Sequence, residues 1–296
     1  MKILIIGSEG FIGSHCVNFF SKKNTVYMSD VYNLIKKNYF QQSPFNSNFD
    51  KLFKTYNFDI CINCSGSANV NESFSNPSKD FELNTLNVSK IIDAIKNNSP
   101  FCKFINISSA AVYGDPEKLP INEKQIVQPI SNYGYHKQYA ELICQQYYNI
   151  YGVKSTSLRI FSAYGPNLKK QLIWDVFQKT INNLNSIELF GSGKETRDFI
   201  FIEDIMLAIE KVIENGTFEG ECYNIASGIE TEIGTIVTAL IKEIGWNGMV
   251  NYTQTSLPGY PNRWKADIKK INSLGFYPNI TIEKGIEKTV KWLKLQ

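Results

Sequence analysis

Lys2-Ile3-Leu4-Ile5-Ile6-Gly7-Ser8-Glu9-Gly10-Phe11-Ile12-Gly13 opens the chain. Residues 2–6 are apolar without alternation, the pattern of a strand buried on both faces. The glycine loop follows at once, and a helical pattern then reaches about Lys22. Thr25 to Ser29 reads as a second strand and ends at Asp30. Strand, glycine loop, helix, strand and acid, in that order, make the dinucleotide-binding fingerprint. Gly7 permits the tight turn, Gly10 lets backbone approach a pyrophosphate, and Gly13 lets the helix pack close to the strand. The helix start at Phe11 and Ile12 offers free N–H groups and a positive dipole end to phosphate. Asp30 can accept from the adenosine ribose hydroxyls and would repel a 2′-phosphate, so the pattern predicts NAD over NADP.

The bulk numbers exclude several classes. A length of 296 residues suits one large domain or two small ones. A formal charge of +3 with scattered lysines gives no basis for nucleic-acid binding. No run approaches the ~20 apolar residues of a membrane span, and the short apolar start is a strand rather than a leader. A cytoplasmic protein is expected. Six cysteines there do not imply disulfides. Cys61-Ile62-Asn63-Cys64 has metal or redox spacing, but it lies inside an apolar run without a second pair, so core cysteines and no metal site are expected.

Further strands are predicted at 39–42, 58–65, 102–107 and 153–161, with helices at 48–56, 80–96 and from Tyr133 to about Tyr148. Strands alternating with helices predict an α/β fold: a doubly wound parallel sheet covered on both faces. After Tyr164-Gly165-Pro166 the character changes. Helices near 171–182, 204–214, 232–244 and 282–295 and strands near 187–190 and 199–202 predict a smaller mixed α/β region over 166–296. Residues 1–165 form the dinucleotide domain, and part of about 196–226 is expected to pack back on it. Ligands of such sheets sit at the carboxyl ends of the strands. There lie the glycine loop, Ser65-Gly66, Ser108-Ser109 and Phe161-Ser162.

Tyr133 and Lys137 stand four apart on a helix and share one face. A phenol titrates near ~10, and an ammonium beside it favours the phenolate. The pair suits proton transfer at a sugar or alcohol hydroxyl, although Tyr-x-x-x-Lys also arises by chance on surface helices.

Context decides between these. Gly7 to Gly13, Ser108-Ser109-Ala110-Ala111-Val112-Tyr113-Gly114, Tyr133-Gly134-Tyr135-His136-Lys137, Leu158-Arg159-Ile160-Phe161, Tyr164-Gly165-Pro166, 191–199 and 223–228 together span nearly the whole chain. In these the chain resembles the extended short-chain dehydrogenases/reductases, in particular the nucleotide-sugar epimerases, dehydratases and 4-ketoreductases. The resemblance implies a Rossmann fold, bound NAD and a nucleotide-sugar substrate held by the C-terminal region. It implies Tyr133 as general acid/base, Lys137 lowering its pKa and holding the nicotinamide ribose, and Ser109 bonding the same sugar oxygen. Asn84 matches a cofactor-contacting asparagine. Arg197 and Arg263 match arginines that hold the substrate diphosphate, though a surface ion pair is the alternative for each. Family members often dimerise through two helices, here 83–96 and 134–148. Their apolar residues (Leu86, Ile91, Ile95; Leu142, Ile143, Tyr147) are candidates for a homodimer face or for packing on the sheet.

Departures bear on the substrate. Ile6 stands where the family usually has Thr, Ser162 where it often has a phosphate-binding Asn, and Asn63-Cys64-Ser65-Gly66 where an apolar-Ala-Ala turn is usual. Dehydratases of the family carry Thr-Asp-Glu before the Val-Tyr-Gly motif. Ser109-Ala110-Ala111 supplies neither acid nor base, which argues against a 4,6-dehydratase. Two enzymatic readings remain: an epimerase acting at C4 through a transient keto sugar, and an NAD(P)H-dependent 4-ketoreductase. Asp30 leans towards the epimerase. A non-catalytic dinucleotide sensor would be expected to lack Tyr133 or Lys137.

Overall fold

The computed structural model describes residues 1–43, 47–255 and 258–296. In the first half, β1 is Lys2–Ile6, α1 Phe11–Phe20, β2 Thr25–Asp30, β3 Tyr39–Gln41, α2 Phe49–Thr55 and β4 Ile60–Asn63. Two short helices, α3 Val70–Ser75 and α4 Pro77–Phe81, lead through a π-helical turn at Glu82–Leu86 into α5 Asn87–Asn98. Then come β5 Lys103–Ser109, a 3-10 turn at Ala110–Tyr113, α6 Asn132–Tyr151 and β6 Ser155–Ile160. The second half holds β7 Ser162–Tyr164, α7 Gln171–Asn182, β8 Ser186–Leu189, β9 Thr196–Phe201, α8 Ile202–Asn215 and β10 Glu219–Ile225. It ends with β11 Glu230–Glu232, α9 Ile233–Ile244, β12 Met249–Tyr252, α10 Lys269–Asn272 and α11 Ile282–Leu293.

Seven strands form one sheet in the order β10-β6-β5-β4-β1-β2-β3, and every pair in it is parallel. The order turns between β1 and β4, so the crevice at their carboxyl ends is the switch point where such sheets take ligands. Ile3 and Ile5 join a core that includes residues of α1, α8 and the second half, while Leu4 and Ile6 join a core with α2, α5 and α6. The unbroken apolar run of β1 thus fills both faces. Residues 219–225 return to the sheet beside β6, and a three-stranded sheet β11-β9-β7 and a pair β12-β8 lie outside it.

Three features depart from the sequence pattern. The helix expected over 80–96 is interrupted by the π-turn, which carries the buried Asn84 and Thr85. β10 is broken by a bulge between Glu219 and Cys222 and by Gly220 at φ +78°, which hides its period. Ile91 and Ile95 are fully buried in the core, so they belong to sheet packing and not to an outer face; Leu86 and Leu142 are the exposed ones.

Helix α6 is placed with unusual closeness. Ser131 caps its start by accepting from Gly134 N at 3.1 Å, and Gly152, at φ +70°, ends it. A Cβ on Gly134 would lie 2.6 Å from the Ala111 carbonyl oxygen, so only glycine lets the helix start sit on the 3-10 turn. Deeper along the helix, Glu141 meets Arg159 of β6 in a buried fork: Nε to Oε1 at 3.0 Å and Nη2 to Oε2 at 2.7 Å. Arg159 Nη1 donates to the Tyr113 hydroxyl at 2.7 Å, which donates to Asn224 Oδ1 at 2.7 Å. Arg159→Ala would leave Glu141 buried and unpaired. We expect it to lower stability by about 3–5 kcal/mol in urea unfolding; a loss below ~1 kcal/mol would show that the fork holds nothing in place.

Candidate active site

The glycine loop is built for close approach. Gly7 has φ +78°, and a Cβ there would lie 2.7 Å from the Cys64 carbonyl carbon. A Cβ on Gly13 would collide with the Gly7 carbonyl oxygen. Helix α1 starts after Gly10 with no side-chain cap and no acid in its first turn. The N–H groups of Phe11 and Ile12 therefore face the loop mouth without intrahelical partners. Asp30, at the carboxyl end of β2, accepts from Glu9 N at 2.8 Å and Val31 N at 2.7 Å, so it also fixes the loop. At the end of β4, on the other side of β1, Asn63 holds Ser65 through its side-chain oxygen. Gly66, at φ +110°, lies against Asn84, and a Cβ there would strike Asn84 Oδ1. That oxygen is buried with no hydrogen-bond donor among the described residues, while its amide donates to Ser67 O and Asp80 Oδ1, both at 3.0 Å. The cradle, the uncapped helix start and a carboxylate at the ribose position fit a dinucleotide.

Ser109, Tyr133 and Lys137 converge where β5 and α6 meet. The Ser109 hydroxyl accepts from Ala111 N at 3.2 Å and lies near enough to the Tyr133 phenol to act on its ionisation. Lys137 Nζ donates to the Ile107 carbonyl at 2.9 Å and lies 5.8 Å from the centre of the Tyr133 ring. Burial pushes the Tyr133 phenol up to about 12; Ser109 pulls it down and the Asp80 charge adds to the rise. Burial pushes the Lys137 ammonium down to about 8, opposed by Asp80, Cys64 and Glu141. In the free chain Ser109 eases ionisation of the phenol.

The other expected residues divide. Arg197 is desolvated, and burial pushes its guanidinium down to about 10, so it stays charged at neutral pH. It donates to the Thr196 carbonyl at 2.8 Å and lies 5.5 Å from the Trp264 ring centre, leaving fork donors for an anion. Arg263 is mostly exposed and paired with Glu230 through Nε at 2.9 Å and Nη2 at 3.1 Å, which realises the surface ion pair instead. Ser162 is half-buried at the start of β7. The side chains of Ser108 and Phe161 are engaged within the protein. Ser108 gives its hydroxyl to Glu141, because successive strand residues face opposite ways. Phe161 is buried between Tyr113 and Trp264. Cys61 and Cys64 pack into different cores on the two faces of the sheet, so their thiols cannot share a ligand. Sequence reasoning did not single out Asp80, Glu141 or Lys170. Only the charged type of Asp80 and Glu141 inside apolar helical patterns could have flagged them.

This arrangement defines an NAD-dependent enzyme of the extended short-chain dehydrogenase/reductase type. The chain belongs to the NAD dependent epimerase/dehydratase family, whose model matches residues 3–226. A Methanocaldococcus jannaschii protein provisionally named UDP-glucose 4-epimerase is 29% identical and covers 99% of this chain and 98% of its own length. The structure of a Methanobrevibacter ruminantium UDP-N-acetylglucosamine 4-epimerase with UDP-N-acetylmuramic acid is 26% identical, with TM-score 0.90, covering 100% of this chain and 98% of that one. A Bacillus cereus UDP-glucuronic acid 4-epimerase with UDP-glucuronic acid and NAD is 25% identical at TM-score 0.90, covering 100% and 99%. No helix among the described residues is long and apolar enough to cross a membrane.

Asp30→Ala is expected to weaken NAD binding about tenfold or more while leaving NADP no weaker than before, since the lost carboxylate both holds ribose hydroxyls and repels phosphate. Fluorescence titration with both nucleotides checks this, and equal weakening would remove Asp30 as the selector.

Proposed function

We propose that the chain is a nucleotide-sugar epimerase that inverts C4 through a transient keto sugar. The observation that supports this best is the meeting of Ser109, Tyr133 and Lys137 beside the glycine cradle, with no acid or base at Ala110 or Ala111 to eliminate water. Tyr133 takes the C4 hydroxyl proton and returns it to the same oxygen after the keto sugar has turned over. Ser109 bonds that oxygen and supports charge on the phenol. Lys137 keeps two N–H donors beyond Ile107, enough for two ribose hydroxyls. NAD, when bound, supplies the acceptor and later the donor of the C4 hydride. Phe11, Ile12, Asp30, Gly66 and Asn84 line its path. Arg197, and Ser162 beside the β7 start, face the diphosphate and sugar held by the 166–296 region, with Arg263 at its rim. Six free thiols suit a reducing cytoplasm.

The homodimer belongs to the same proposal. Phe81, Leu86, Tyr135, Tyr139 and Leu142 are exposed on α4, the π-turn and α6, which gives two copies an apolar face to share. Light scattering is expected to give twice the chain mass; a monomer at high concentration removes the dimer.

Tyr133→Phe is expected to keep NAD binding and lose ~10²–10⁴-fold in turnover of a UDP-hexose. Wild-type protein should purify with NAD and need none added. Near-normal kcat in the variant would sink the role of Tyr133. An empty site that consumes NAD(P)H on a keto sugar would replace the epimerase with the 4-ketoreductase.

A further inference from the structure

Tyr133, His136 and Lys137 stand at i, i+3 and i+4, on one face of α6. His136 has no part in the chemistry above, yet it is buried, and its Nδ1 lies 2.6 Å from Oδ2 of Asp80, which is 4% exposed. The other Asp80 oxygen accepts from Asn84 Nδ2 at 3.0 Å. Thr85, the next residue of the π-turn, donates through Oγ1 to the His136 carbonyl at 2.9 Å. Phe81 and Tyr139 pack on the imidazole at 5.4 and 6.1 Å between ring centres. Two segments that contribute to the site, one through Asn84 and one through Tyr133 and Lys137, are thereby bonded to each other below the cleft.

We propose that Asp80 and His136 form a positioning pair: their hydrogen bond clamps the turn carrying Asn84 onto the helix face carrying Tyr133 and Lys137, and it sets one carboxylate beneath both. This rests on the reading that Tyr133 and Lys137 are the reacting pair. Removing either partner leaves the other buried without its bond, which loosens both segments. The carboxylate also acts at a distance. Lys137 is faced by Asp80 from α4, Cys64 from the end of β4, Glu141 and Tyr133 from its own helix and Lys170 from ahead of α7. Among them Asp80 gives the ammonium its largest support against burial, and Lys170 opposes it. Tyr133 feels the same carboxylate, with Ser109 on its other side. Asp80 therefore favours the proton on both groups.

Asp80→Asn keeps the shape and removes the charge. In the purified full chain, the pH midpoint for acylation of Lys137 by acetic anhydride, followed by mass spectrometry, is expected near about 8 in the wild type. It should fall by about one unit in the variant, and the alkaline limb of turnover should move with it. His136→Phe is expected to lower kcat roughly tenfold or more with KM little changed, and His136→Gln, which can still donate to Asp80, to recover most of the loss. An unmoved Lys137 midpoint in folded Asp80→Asn overturns the pair, as does His136→Gln as slow as His136→Phe. If Asp80→Asn does not fold, the two His136 variants decide. A shifted midpoint in a chain that turns over no nucleotide sugar would uphold the pair and count against the epimerase instead.

Discussion

The fork between Arg159 and Glu141 is the contact on which the site's geometry depends. Burial works against the Arg159 charge, and the hydrogen bonds and charge of Glu141 more than offset it. A pair of apolar residues of similar volume would fill this space at no loss, or even a gain, in stability. What they would not do is fix direction. The fork aligns two donors with two acceptors, so it sets both the rotation and the height of α6 on the sheet. Tyr133, Lys137 and Glu141 follow at intervals of four along one stripe, and all three are buried. Holding Glu141 against β6 therefore places Lys137 one turn away and Tyr133 two turns away, at the end of β5. Ser108, Tyr113 and Asn224 extend the same network to β5, the 3-10 turn and β10.

What could be read from the sequence follows from how local its physical cause is. Gly7 and Gly13 were legible because their cause lies within a few residues: a positive φ at Gly7 and a carbonyl in the way of any side chain at Gly13. The central sheet was legible because strands buried on both faces need continuous apolar runs. The π-turn was not, since the residues that give 80–96 its helical spacing, Leu86 to Ile95, lie at or beyond its end, and Asn84 and Thr85 turn inward before them. β10 was not, because Gly220 and the bulge break its period. Tyr133 and Lys137 were readable only through their company.

The partners of several motif side chains have a non-local cause. Ser108 and Ser109 are adjacent in a motif, and the pleat alone decides which one reaches the cleft. Phe161 follows the carboxyl end of β6, yet Trp264 arrives from a hundred residues later to cover it. Arg263 pairs with Glu230 across the β11 edge, a neighbour that no local pattern announces. In each case the motif fixed the residue and the tertiary partner fixed its task.

The contrast between the two arginines bears on the substrate. Arg263 is exposed and already neutralised by a carboxylate. Arg197 is desolvated, bonds only backbone carbonyls and lies on a tryptophan face, a placement that disfavours its charge. Lys170 makes no ion pair among the described residues, yet its charge reaches Lys137 and pushes that ammonium down. Glu195 and Asp115 support the Arg197 charge from a distance, but burial outweighs them. No carboxylate bonds Arg197 directly among the described residues, in contrast to Glu141 on Arg159. A bound diphosphate would answer the Arg197 fork more strongly than a neutral sugar could. The desolvated, backbone-bonded Arg197 is therefore the residue whose electrostatics fit the proposed nucleotide-linked substrate, and the carboxylate-paired Arg263 is not.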